Sequence, residues 1–157
     1  MARSDPDPRM RRKAIEALGA NGQKSALQQL LATEKDPELR LQVVESLGVA
    51  GDVAFLAKTA RESGDPDLRR KAIEGLGVSG GPEATRALRE LYAQPSSPED
   101  KRKVLEALMV QGASKTLIEL FRSEKDPAMK RAILQQLTVM DDPEITRVIL
   151  EALGEKP

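Results

Sequence analysis

The 157-residue chain has no cysteine and no histidine. The first absence excludes disulfides, thiol nucleophiles and zinc–thiolate sites. The second excludes histidine general bases and every Ser-His arrangement. Any acid–base chemistry would run on carboxylates and lysines, without the side chain best suited to neutral pH. Aromatic residues are limited to Phe55, Tyr92 and Phe121, a poor set for stacking bases or flat ligands. An excess of one charge is also missing: 25 Lys and Arg balance 25 Asp and Glu. No global field therefore draws the chain to nucleic acid or to an anionic membrane. No apolar run approaches the roughly 18 residues of a membrane span. The start, Met1-Ala2-Arg3-Ser4-Asp5-Pro6, lacks the apolar stretch of a secretory signal. These absences set the expectation of a cytoplasmic, non-catalytic chain with no cofactor, no metal and no membrane partner.

What is present is periodic. Asp-Pro recurs at Asp7-Pro8, Asp36-Pro37, Asp65-Pro66 and Asp126-Pro127, with Ser97-Pro98 in the fourth slot, at steps of 29, 29, 32 and 29 residues. Three places on lie Met10, Leu39, Leu68, Asp100 and Met129; only Asp100 breaks this apolar column. The next place holds a long base: Arg11, Arg40, Arg69, Lys101, Lys130. Further apolar columns follow, from Ala14-Ile15 and Leu18 in the first unit to Ile133-Leu134 and Leu137 in the last. These offsets describe one apolar stripe on a helix. Asp or Ser supplies the N-cap, and Pro suits the first helical position, where its missing N–H has no partner to lose. Gly19, Gly48 and Gly77 read as the left-handed residues that end these helices. Met109 and Thr138 stand in that column later on, so their turns are expected to differ.

A second stripe follows in each unit, for example Ala26, Leu27, Leu30 and Leu31. Gly81-Pro82-Glu83-Ala84-Thr85-Arg86-Ala87-Leu88 parallels Asp142-Pro143-Glu144-Ile145-Thr146-Arg147-Val148-Ile149, so Asp142-Pro143 opens a second helix and not a sixth unit. An extra turn residue and a longer loop, Gln94-Pro95-Ser96-Ser97, account for the 32-residue step. The chain thus reads as all-α, one domain over residues 1–157 with five helix-turn-helix units at 7–35, 36–64, 65–96, 97–125 and 126–153. Neither helix of a unit buries its stripe alone, so stacking the pairs makes the core, as in an α-solenoid. At 8–10 Å between helix axes the array spans roughly 50 Å.

Asp65-Pro66-Asp67-Leu68-Arg69-Arg70-Lys71-Ala72-Ile73-Glu74-Gly75-Leu76-Gly77 and its counterparts resemble HEAT repeats, in the short form of phycobilisome-lyase-type HEAT-like proteins and of consensus artificial HEAT scaffolds. The resemblance covers residues 7–153. It implies a right-handed solenoid with the first (A) helices convex and the second (B) helices lining a concave groove that holds another protein. Enzymes of this fold do not fit. Deoxyhypusine hydroxylase builds its iron site from His-Glu pairs, and this chain has no histidine. No lyase pocket motif is readable. The basic, aromatic face of the HEAT-like DNA glycosylases has no counterpart, because all three aromatics fall in the apolar stripes.

At 100° per residue, the B-helix face opposite the stripe is computable. One column runs Ser25, Ala54, Arg86, Lys115, Arg147. Over the last three units this face holds Arg86, Arg89, Lys115, Arg122 and Arg147 against Glu90, Glu119 and Glu151, with Ile118 and Leu150 as apolar neighbours. Arginine beside exposed aliphatic side chains is the composition of interface hot regions. The expected partner is a protein or peptide segment, acidic or amphipathic. The alternative is nucleic acid on the basic half of the groove, against which zero net charge and three aromatics count. The base column headed by Arg11 reads as a register ladder pairing with Asp caps. Glu16, Glu45, Glu74 and Glu106 read as helix-surface partners of residues four places earlier. Asp141-Asp142 reads as a cap and Gly77 to Gly81 as a turn, not a phosphate loop. Neither end carries a polar capping face, which fits a piece of a longer array or an end-to-end dimer as well as a monomer.

Overall fold

The computed structural model describes residues 6–154. These residues form ten α-helices and no strand. The A helices are α1 (Pro8–Ala20), α3 (Pro37–Val49), α5 (Pro66–Ser79), α7 (Pro98–Val110) and α9 (Pro127–Thr138). The B helices are α2 (Lys24–Thr33), α4 (Val53–Glu62), α6 (Gly81–Ala93), α8 (Ser114–Ser123) and α10 (Pro143–Ala152). Each A helix packs on the next A helix and on its neighbouring B helices, so the array is an α-solenoid with one continuous core. Leu27, Val43, Leu56, Leu76, Leu88, Leu108, Leu117, Ile133 and Val148 are wholly buried along it. Each such side chain adds about 1.5–3 kcal/mol.

Asp7, Asp36, Asp65, Ser97 and Asp126 cap the A helices with their side chains, each ahead of a Pro in the first turn. Asp142 caps α10 in the same way. The helix stops differ from the sequence expectation. Gly19, Gly48 and Gly77 are helical, and the left-handed residues are Gly22, Gly51, Gly80, Gly81, Gly112 and Gly154. The three helical glycines allow close approach instead: a Cβ on Gly19 would lie 2.9 Å from the Ser46 Cβ, and one on Gly77 3.1 Å from the Ala107 Cα. Met109 does not alter its turn, because Gly112 supplies the same bend as Gly22 and Gly51. The turn after α9 does differ: it has no glycine, and Met140 N–H closes it onto the Leu137 carbonyl at 3.1 Å. At that joint Met109 and Gln136 replace the small pair of the earlier joints, and α9 packs less closely on α7.

The 32-residue step has a partly different cause. Not an extra turn residue but a longer α6, 13 residues against 10 in α2 and α4, takes up most of it. The loop after α6, residues 94–97, is one residue longer than 34–36 and 63–65, as expected.

The base column does hold the units together, but not through Asp caps. Arg40 donates to the Leu31 and Glu34 carbonyls at 3.4 and 3.1 Å, and Arg69 to the Ser63 carbonyl at 3.1 Å. These carbonyls sit at B-helix ends, where cations are favoured. Lys101 and Lys130 lie 5.2 and 5.0 Å from the ring centres of Tyr92 and Phe121. Of the A-helix residues Glu16, Glu45, Glu74 and Glu106, the last two pair, at three residues and not four and across units. Glu74 meets Lys71 at 2.8 Å and Lys103 at 3.1 Å, and Glu106 meets Lys103 at 2.8 Å. Glu16 and Glu45 form no ion pair among the described residues.

Candidate binding groove

The B helices stand apart from one another by clefts. One of about 480 Å³ lies between α4 and α6 and includes Arg61 and Arg86. Another of about 750 Å³ lies between α6 and α8 and includes Arg86, Arg89 and Lys115.

The seven residues expected on this face separate into two groups. Arg86, Lys115 and Arg147 are all exposed, at equivalent positions of α6, α8 and α10. Arg86 and Arg147 have no ion-pair or hydrogen-bond partner among the described residues. Lys115 lies near Asp142. The Ser114 hydroxyl, then the Glu144 N–H and Lys115 hold that carboxyl below its ordinary value.

Of the other four, Arg89, Ile118 and Arg122 point toward the next unit. Arg89 pairs with Glu119 at 3.0 Å, and Arg122 with Glu151 at 3.6 Å and Glu144 at 3.9 Å. Ile118 is 2% exposed and belongs to the core, contrary to its expected outward position. Leu150 is half-buried. The physical reason lies in the column they share. Gln28, Ala57, Arg89, Ile118 and Leu150 occupy equivalent places on the flank of a B helix, which the next unit covers in all but Leu150, on the last described helix. Gln28 reaches Asp52 across that joint at 2.6 Å, and Ala57 is buried there. A B helix is covered on its flank as well as on its inner stripe, so the open face is narrower than a two-sided helix allows.

A family model for HEAT repeats matches residues 1–48 and 25–109. The chain belongs to the HEAT repeat family. No curated protein matches it. HEAT repeats generally serve as protein-interaction scaffolds. Helices α8 to α10 of this HEAT array lie beyond the matched residues. Among the described residues, no helix is long and apolar enough to cross a membrane, and no group of three acidic residues converges for a metal.

One surface feature escaped the sequence reading. Val49, Val78, Val110 and Val139 are 59–70% exposed and occupy one column, thirteen places after the caps of the second to fifth units, with Ala20 in the first. Comparing columns beyond the apolar stripe, and not only within it, would have found them.

Proposed function

We propose that this HEAT array is a non-catalytic scaffold that holds an acidic or amphipathic segment of a partner protein on its B-helix face. The observation that supports the reading is the line Arg86, Lys115, Arg147: one exposed cation per unit, two of them with no partner of their own. The ion pairs Arg89–Glu119 and Arg122–Glu151 flank the line and hold neighbouring B helices together. A partner carrying carboxylates at the unit spacing meets complementary charge there, which steers encounter and fixes register.

The test is fluorescence anisotropy with labelled helical and extended peptides bearing spaced glutamates. The expected result is saturable binding that the triple change Arg86→Glu, Lys115→Glu, Arg147→Glu abolishes. Reversal of Lys13, Arg102 and Lys125 on other surfaces should leave it intact. Equal loss from both sets would reduce the effect to net charge and overturn the reading. Tighter binding of a duplex oligonucleotide, with a steep salt slope, would shift the reading to nucleic acid.

A further inference from the structure

Two of the units fold a glutamate back at the end of the B helix. Glu34 Oε1 accepts from the Lys35 and Asp36 N–H groups at 2.9 and 3.0 Å, and the same carboxylate pairs with Arg11 at 3.2 Å. Glu124 Oε1 accepts from Lys125 and Asp126 N–H at 2.8 and 2.9 Å. The equivalent residue in the third unit is Pro95, which has no side-chain acceptor. The Ser96 and Ser97 N–H groups, counterparts of those two donor pairs, have no acceptor among the described residues.

A second change falls at the same joint. Asp100 stands where the other units carry Leu or Met, and it is shorter. A pocket of about 250 Å³ opens here. Ala60, Ile73, Leu91 and Val104 give it an apolar lining, and Arg61 and Arg69 stand at its edge. Arg69 is held in place: its Nε donates to Asp100 Oδ2 at 3.1 Å and its Nη1 to the Ser63 carbonyl at 3.1 Å. A guanidinium has more N–H donors than those two bonds use, and the Arg69 side chain is 26% exposed. Arg61 has no partner among the described residues. Arg70 is taken up by Asp67 at 3.0 Å and reaches Asp100 only at 3.8 Å, and Asp100 Oδ1 accepts no hydrogen bond, so the charge left at the pocket is that of Arg61 and Arg69 against Asp100.

We infer that this pocket binds a carboxylate on a short aliphatic arm, in the place that Glu34 and Glu124 fill in their own units. The head meets Arg69, Arg61 and the loop N–H groups, and the arm lies on the apolar lining. Two sources offer this chemistry: a free short-chain acid, or a glutamate side chain of a peptide. The site stands independently of the B-helix reading.

The experiment is an NMR amide titration of the full chain with butanoate and butanamide, and with acetyl-Gly-Glu-Gly-amide and its Gln counterpart. Saturable shifts at Leu91, Ser96, Ser97 and Val104 with a carboxylate, at roughly millimolar Kd and about tenfold weaker for the matching amide, support the site. Butanoate alone points to a free acid, and the Glu peptide alone to a protein ligand. Pro95→Glu returns an internal carboxylate, so it should abolish these shifts and raise Tm. Should that variant not fold, Arg61→Gln should weaken butanoate about threefold or more. Equal shifts by acid and amide, no saturation with either source, or full binding by folded Pro95→Glu would overturn the inference. Reversal of Arg86, Lys115 and Arg147 should leave the pocket titration unchanged, so either reading can fail alone.

Discussion

Gly48 and Gly75 meet backbone to backbone: a Cβ on Gly48 would lie 2.8 Å from the Gly75 Cα. This contact sets how closely α3 and α5 pack. Gly48→Ala forces the two helices apart, and overpacking of this kind costs about 1–3 kcal/mol. The gain in helix propensity returns about 0.5–1 kcal/mol. Urea denaturation should therefore show a net loss of about 1–2 kcal/mol. Gly64→Ala is the control, since nothing lies within 4 Å of its added Cβ. It should be neutral or gain about 0.4–1 kcal/mol. Equal stability of Gly48→Ala and wild type would contradict the close approach.

Asp100 is a buried acid in an otherwise apolar column, and its Oδ1 has no hydrogen-bond donor. One unit earlier, the equivalent positions are Arg40 and Leu68, and Leu68 is buried without any acid. The fold therefore already accommodates Leu beside this column of bases. Asp100→Leu should stay within about 1 kcal/mol of wild type: the two bases it leaves are a quarter or more exposed and Arg69 keeps the Ser63 carbonyl, so neither becomes the uncompensated buried charge that makes loss of one partner costly. Asp100→Asn keeps the shape but weakens the bond from Arg69 and the charge attraction to Arg70, and should cost about 1–3 kcal/mol. Parallel urea curves decide. A leucine variant weaker than the asparagine variant would contradict the argument.

The helices were legible because their causes are local. An Asp or Ser cap, a Pro behind it and an apolar stripe need no neighbour to be read, and Asp142-Pro143 was placed correctly by the same logic. The turn was misplaced because a glycine late in a helix has two uses, and only the position of Ser46 or Gly75 in the next unit shows which applies. Ile118 was misplaced for a similar reason. Periodicity within α8 locates its inner face, whereas burial of its flank depends on where the next unit sits. The exposure of Arg86, Lys115 and Arg147 was legible because their column lies outside the packed joints between units. The pocket beside Asp100 was visible in sequence only as two isolated exceptions, Pro95 and Asp100, whose meeting requires the fold.

Ile118→Ala separates core from surface. At 2% exposure it should cost about 2–4 kcal/mol, as a truncated core aliphatic does. Arg86→Ala, exposed and without a partner, should change stability by no more than about 0.5 kcal/mol. Thermal or urea unfolding of both measures this directly. Any binding defect of Ile118→Ala then reflects weakened packing, whereas a defect of Arg86→Ala reflects the surface itself. A small cost for Ile118→Ala would return that residue to the open face.

Tyr92 ties α6 to the loop after α8 by donating its hydroxyl to Glu124 Oε2. Burial first, then this bond and the charges of Glu124 and Asp126, push the phenol well above its ordinary value. Burial would also raise Glu124, but the Tyr92 hydroxyl, the Asp126 and Lys125 N–H groups and Lys101 outweigh it, so that carboxyl falls below its ordinary value. The signs follow from linkage. A raised phenol pKa contributes stability that is complete below about pH 10 and lost as pH climbs from there toward the folded value. A lowered carboxyl pKa contributes stability that is present above about pH 4.3 and lost as pH falls through the folded value. Both contributions are therefore intact between about pH 5 and 9. Tyr92→Phe should cost about 1–3 kcal/mol near neutral pH, where the acceptor is charged. The difference from wild type should shrink at acid pH, below the ordinary carboxylate range, as Glu124 takes up its proton. It should shrink again above about pH 11, where the unfolded tyrosine ionises and the phenylalanine variant has nothing to lose. Urea denaturation at three pH values measures the difference, and a constant cost across them would show that the hydroxyl–carboxylate bond does not carry it.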